Sequence, residues 1–262
     1  MDQKEITEVY QSDAYIAKNP SLHEEDSAWK IKKLLPFIDT WLKRDQSPVV
    51  TVLDVGGGAG VILRELAKYI ATKHGRTVRK YCLDLSPGML AVQGENNIDA
   101  IKKLERDIAQ TGLGDKEVDL VLMIDVLEHV PDPVQTLKEI RRISHFALLK
   151  VPLEDSLFYR VMDIVTGGKF RQRLIAQIGH INIYNRNNLL VLLEQYGGRV
   201  LLSDLTNVYE YLLTTKQRVF DRWFNRLGSW CWRLSPSLAA KIFNDYVVAL
   251  VACDETVSSL SV

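Results

Sequence analysis

A chain of 262 residues with 47% hydrophobic and 25% charged residues has the composition of a soluble globular protein, one large domain or a domain with additions. Its 33 basic and 33 acidic residues cancel, which excludes the global positive field that draws a protein to nucleic acid. Cys82, Cys231 and Cys253 are odd in number and far apart, so they show no zinc spacing and suit a reducing compartment.

The first eight residues are polar, so no secretory leader is read there, and no apolar run approaches the roughly 20 residues of a membrane span. The expected localisation is cytoplasmic. Residues 1–47 read as an N-terminal helical cap, in which Asp26 or Ser27 starts a helix over 28–42 and Pro36 marks a break or kink. Trp29, Leu34, Phe37, Ile38, Trp41 and Leu42 give that helix a broad apolar side.

The chain is organised around the next stretch. An apolar, β-branched run over 49–55 contains Asp54 and leads into Gly56, Gly57, Gly58 and Gly60, after which 61–73 reads as a helix. Strand, glycine-rich turn and helix make the opening unit of a nucleotide-binding α/β sheet. The spacing is not Gly-x-Gly-x-x-Gly, because Val61 or Leu63 stands where the third glycine or alanine would be. A second strand over 77–85 reaches Asp84 and Leu85 before Ser86-Pro87, a cap and first-turn proline. A third strand over 100–108 carries Asp107 and Ile108 at its end.

The run 118–126 is nearly continuously apolar, as for a buried central parallel strand. It ends in Asp125-Val-Leu-Glu128-His129-Val-Pro-Asp132-Pro, and ligands of open α/β sheets gather at such strand ends. A helix over 133–144 follows, with Glu139, Arg141 and Arg142 on a solvated face, then a fifth strand over 146–151. Residues 152–186 form an insertion with a helix over 156–165 and a closing stretch that holds His180 and Tyr184. After a helix over 187–196, the segments 199–205 and 246–253 read as the last two strands. Between them, 207–244 is a helical insertion. There Phe220, Trp223, Phe224, Leu227, Trp230, Cys231 and Leu234 recur at helical spacing among Arg218, Arg222, Arg226 and Arg233. Such a segment over 218–234 can lie in a membrane interface, pack on the domain, form a homodimer contact, or wall a pocket for an apolar substrate.

Asp54 with alternating Gly56, Gly58 and Gly60 resembles the Asp/Glu-x-Gly-x-Gly-x-Gly signature of class I methyltransferases, which use S-adenosylmethionine. The stretch from His180 through Tyr184 to Leu189 is similar to one found in the type 11 and type 23 small-molecule groups. The resemblance spans roughly residues 49–205. It implies an α/β, Rossmann-like, doubly wound sheet of seven strands, mostly parallel with the last antiparallel, and a lid over 152–186. It assigns Asp54, Gly56, Gly57, Gly58 and Gly60 to the methionyl part of the cofactor, Asp84 and Leu85 to its ribose, and Asp107 and Ile108 to its adenine. Asp125 completes that set. Tyr15, His23, Glu128 and Tyr184 fall in the substrate pocket, and His129 and His180 are the candidates for general base.

The implied reaction is in-line transfer of a methyl group to a small-molecule or lipid-like acceptor, at oxygen. Asp125-x-x-Glu128-His129 also resembles a carboxylate-x-x-Glu-His motif of ubiquinone-pathway and small-RNA methyltransferases, which can bind a divalent metal. Asp in place of the first Glu departs from that pattern, and no metal is assigned. Two alternatives stand beside this reading: a non-catalytic cofactor-binding scaffold or sensor, and an RNA methyltransferase. Zero net charge and the lack of an RNA-binding module weigh against RNA and DNA partners.

Overall fold

The computed structural model describes residues 24–254; Tyr15 and His23, assigned to the substrate pocket, lie outside them. Helix α1 (Ser27–Arg44) comes first. Pro36 lies inside it without ending it, and the Pro36 carbonyl accepts from Thr40 Oγ1 at 2.8 Å. The expected side-chain cap at Asp26 is not made, because Lys30, one turn on, takes that carboxylate at 2.9 Å.

Strand β1 (Val49–Val55), helix α2 (Val61–His74), strand β2 (Thr77–Asp84) and helix α3 (Pro87–Asn96) follow the expected order. Strand β3 is shorter than expected, Lys102–Glu105. Asp107 lies beyond it and caps a single 3-10 turn over Ile108–Gln110. Strand β4 (Val118–Ile124), helix α4 (Pro133–Ile143) and strand β5 (Ser144–Leu153) complete the parallel core. Glu139 on α4 is buried rather than solvated, because it accepts from Thr111 and from Arg142.

The insertion holds helix α5 (Leu157–Val165) and a further helix, α6 (Lys169–Ile178). Helix α7 (Arg186–Leu192) runs on through a π turn over Leu193–Gly197 into strand β6 (Arg199–Leu205). Then come the short helix α8 (Tyr209–Leu212), helix α9 (Val219–Leu234), helix α10 (Pro236–Ile242) and strand β7 (Asp245–Ala252).

The seven strands run in the order β3-β2-β1-β4-β5-β7-β6. β1 to β5 are mutually parallel, and β7 inserts antiparallel to both β5 and β6. The apolar strands are buried on both faces, as a doubly wound sheet requires. One face packs Leu34, Ile38 and Trp41 of α1 with Leu63 and Leu66 of α2. The other packs Leu137 and Ile140 of α4 with Leu189 and Leu193. The 207–244 insertion has a small core of its own around Tyr209, Cys231 and Phe243. It is tied to the sheet by the buried carboxylate of Asp245, which accepts from Thr206 Oγ1, the Asn207 and Val208 N–H groups and Trp232 Nε1. This topology sends the ends of β1, β2 and β4 to one edge of the sheet, where the first crossovers diverge.

Candidate functional site

Asp54 sits at the end of β1, about 1% exposed, with Oδ2 accepting from Gln93 Nε2 of α3 at 3.2 Å. The carboxyl is folded beneath the glycine turn. A methyl group at Gly57 would collide with Asp54 Oδ2 and Gln93 Nε2, so only glycine fits above the acid. Gly56, Gly58 and Gly60 all take positive φ, and Gly60 leads into the first turn of α2, whose N–H groups face the turn. Burial pushes the Asp54 carboxyl up to about 7 against the opposing bond from Gln93, and the nearby Asp84 adds to the rise.

Asp84 ends β2, and its Oδ1 accepts from the Ser86 N–H at 2.8 Å while Ser86 caps α3. Burial holds this carboxyl up at about 6, despite the backbone N–H groups of Ser86 and Leu85. A half-covered carboxylate with so few donors has acceptor capacity for the hydroxyls of a ligand. Leu85 beside it is half-buried. Asp107 is exposed, with Oδ1 on the Ala109 N–H at 2.8 Å, and Ile108 is buried next to it.

At the end of β4 the arrangement differs. Asp125 takes positive φ, and its carboxylate is held by Lys150 of β5 at 2.5 Å and Lys30 of α1 at 2.9 Å. The two ammonium groups overcome burial and hold Asp125 down at about 2. Lys150 in turn lies over the Tyr246 ring, 3.4 Å from its centroid. The structure thus commits the Asp125 carboxylate to two cations.

Glu128 is 1% exposed, and among the described residues neither carboxylate oxygen has a hydrogen-bond partner. Burial, reinforced by Asp125, raises its pKa well above the usual range, so the carboxyl favours its proton unless a cation or donor arrives. His129 Nδ1 bonds the Gly179 carbonyl at 3.0 Å, and a carbonyl can only accept. Nδ1 therefore carries the hydrogen, and a neutral ring has its lone pair on Nε2. His180 Nδ1 lies 2.8 Å from Glu154 Oε1, which fixes the same tautomer. The two rings meet edge to face with centroids 4.8 Å apart. Glu128, His129 and His180 each offer a ligand atom within 4.8 Å of the others, a donor set suited to a divalent cation as well as to proton transfer. Tyr184 is buried nearby; burial and the Glu128 carboxylate push its phenol up, and its hydroxyl has no partner among the described residues.

The stretch that closes the insertion is latched onto the β4 end. Ile181 and Asn182 N–H groups both donate to the Glu128 carbonyl at 3.0 Å. Asn182 Nδ2 donates to the Leu127 and Val130 carbonyls at 3.1 and 2.7 Å. His180 thereby reaches Glu128 and His129. Sequence reasoning missed Glu154, Lys150, Lys30 and Gln93. None carries a motif, although Glu154 follows a strand end, the one signal that could have found it. A groove of about 500 Å³ also lies between α1 and α2, lined by Ser27, Ala28, Ile31, Val61, Arg64 and Glu65; it includes none of the strand-end carboxylates.

The family model described as a methyltransferase domain matches residues 53–145, from the last turns of β1 to the start of β5. Over residues 53–145 the chain is thus similar to a methyltransferase domain. A ubiquinone biosynthesis O-methyltransferase of Hydrogenovibrio crunogenus is 32% identical to it over 110 residues, 39% of this chain and 42% of that protein. A cycloartenol-C-24-methyltransferase 1 of Oryza sativa subsp. japonica is 35% identical over 98 residues, 37% of this chain and 28% of that one. The match thus spans less than half the length of either curated relative. A solved geranyl diphosphate C-methyltransferase from Streptomyces coelicolor A3(2), in complex with Mg2+, geranyl diphosphate and S-adenosyl-L-homocysteine, has the same fold. Its TM-score is 0.55 at 12% identity, over 79% of this chain and 74% of that one. In this chain the glycine turn and Asp84 lie on one side of the β1 end, and the Glu128–His129–His180 cluster lies beyond β4.

Proposed function

We propose that the protein is an S-adenosylmethionine-dependent methyltransferase that acts on a small-molecule or lipid-like acceptor, at oxygen. The observation that carries the reading is the pairing of two unlike sites along one sheet edge. One is a glycine turn with the half-covered acceptor Asp84; the other is a buried Glu128–His129–His180 cluster roofed by the insertion. When bound, the cofactor supplies an electrophilic methyl group on sulfonium. The chain's own residues do the rest. The turn at Gly56–Gly60 and the α2 N–H groups receive the methionyl part, Asp84 takes both ribose hydroxyls beside Leu85, and Asp107 and Ile108 border the adenine. Asp125, neutralised by Lys30 and Lys150, anchors the strand end.

On the acceptor side, Glu154 holds His180 Nδ1 and leaves Nε2 as a base able to take a hydroxyl proton. His129 is fixed in the same way by Gly179. The orphaned Glu128 carboxyl gives a second form of the same chemistry. Glu128, His129 and His180 would hold a divalent cation, which lowers the pKa of a bound hydroxyl. The relatives that act on ubiquinone precursors and sterols support a lipid-like acceptor.

The test is transfer of a labelled methyl group from S-adenosylmethionine to cell-extract fractions, followed by partition of the product into organic or aqueous phase. Label in an organic-soluble product that resists amine-directed chemistry is the expected result. Cofactor binding with no transfer to any fraction would overturn the enzyme reading in favour of a scaffold.

A further inference from the structure

Helix α9 has three sectors with different surroundings. Its inner face is settled on the domain. Gly228 lies so close to Tyr209 that a methyl group there would strike the ring. Trp232 Nε1 donates to Asp245 at 3.1 Å, and Phe224 stacks between Phe158 and Phe243 at 4.4 and 5.1 Å. Gly228 therefore seats the helix on the domain. Its outer face is not needed for that packing. Phe220, Trp223 and Trp230 are 75%, 66% and 61% exposed, and Leu227 and Leu234 lie in the same stripe at spacings of three and four.

The third sector is basic. Arg222, Arg226 and Arg233 are exposed along the flank of the stripe, and the Arg226 guanidinium sits 5.9 Å from the Trp223 ring. Across 216–235 five basic residues face one acid, Asp221, in a chain whose total charge is zero. A second exposed apolar stripe lies on α5. Phe158 joins α9 to α5, where Leu157, Val161, Ile164 and Val165 are exposed at helical spacing, with Ile164 at 80%. Lys169 and Arg173 follow on α6. Among the described residues no helix is long and apolar enough to cross a membrane, so this surface can lie on one and not span it.

We propose that α9 and α5 seat the protein on an anionic lipid surface, with Trp223, Trp230 and Phe220 in the headgroup boundary and the flanking arginines on lipid phosphates and carboxylates. Charge complementarity selects this occupant. A two-fold contact with a second copy would set the arginine rows against each other, and like charges face to face oppose such a dimer. The proposal goes beyond methyl transfer and does not depend on it. It places the α5 side of the insertion, which contains Glu154 and His180 at its two ends, against the phase where a lipid-like acceptor resides.

The experiment is co-sedimentation of the full chain with vesicles of phosphatidylcholine alone and of phosphatidylcholine mixed with phosphatidylglycerol, without any methyl donor. Tryptophan quenching by brominated lipid is read in parallel. The expected result is binding to the anionic vesicles that falls with added salt, with quenching lost in Trp223→Ser/Trp230→Ser. Replacing Arg222, Arg226 and Arg233 with Gln should lower the partition coefficient by about a hundredfold, roughly fivefold for each charge. All these positions are exposed, so circular dichroism of each variant should match the parent. The proposal is overturned if the chain stays with the supernatant, or if the variants sediment like the parent. It is overturned equally if velocity sedimentation shows a dimer that the tryptophan substitutions dissolve. Failure here leaves label transfer to solubilised acceptors intact, and failure there leaves this binding intact.

Discussion

The two sides of the candidate site are built differently. On the cofactor side most polar contacts are local, the bond from Gln93 to Asp54 across 39 residues being the exception. Asp84 bonds the N–H two residues on, Asp107 does the same, and Asp54 lies under a glycine three positions later. On the acceptor side every contact is long-range. His129 meets a carbonyl 50 residues away, His180 a carboxylate 26 residues away, and Asp125 a lysine 25 residues away. Local contacts make a cradle built from the turns that follow β1, β2 and β3. Long-range contacts make a cluster that exists only when the insertion is latched onto β4, so the two sides should fail independently.

That independence can be broken by experiment. The largest expected effect is on turnover. His180→Ala should lower kcat by about a hundredfold to ten-thousandfold, while calorimetry finds unchanged affinity for S-adenosylhomocysteine. Glu154→Gln should follow it with a smaller loss. If either variant abolished cofactor binding, the two sides would be one unit. Next in size is stability. Lys150→Ala removes a buried cation and leaves the half-buried Asp125 with Lys30 alone, and urea unfolding should show a loss of about 2–3 kcal/mol at unchanged m-value. Asp84→Ala should weaken S-adenosylhomocysteine by roughly a hundredfold, the worth of two bonds to a charged acceptor. Normal affinity in that variant would remove Asp84 from the ribose.

The smallest effect sharpens the comparison through pH. Asp84 titrates at about 6, and only its ionised form accepts from both hydroxyls. Cofactor affinity should therefore rise by about tenfold from pH 5 to pH 7, and Asp84→Asn should flatten the profile. Stability of the unliganded protein carries the opposite sign. Asp54, raised to about 7, and Asp84 both hold protons more tightly folded than unfolded, so their contribution falls as pH climbs from about 4 through 7. Asp54→Asn should remove part of that slope in thermal melts. A slope unchanged by the substitution would mean Asp54 is ionised beneath the turn.

The amino-acid sequence by itself determined the sheet and its glycine turn. Strand periodicity, the Asp54–Gly60 spacing and the Ser86-Pro87 cap are read within a few residues, and the structure builds each of them in place. It also marked Glu128, His129, His180 and Tyr184 as polar groups near strand ends. Only the tertiary structure decided what those groups meet. It paired Asp125 with Lys30 and Lys150, placed Glu154 behind His180, shortened β3 so that Asp107 caps a turn, and buried Gly228 against Tyr209. The physical reason is range. A turn or cap closes within its own hydrogen-bonding ring, whereas a buried charge takes its partner from whichever element the packed sheet brings alongside, and no local pattern records that choice.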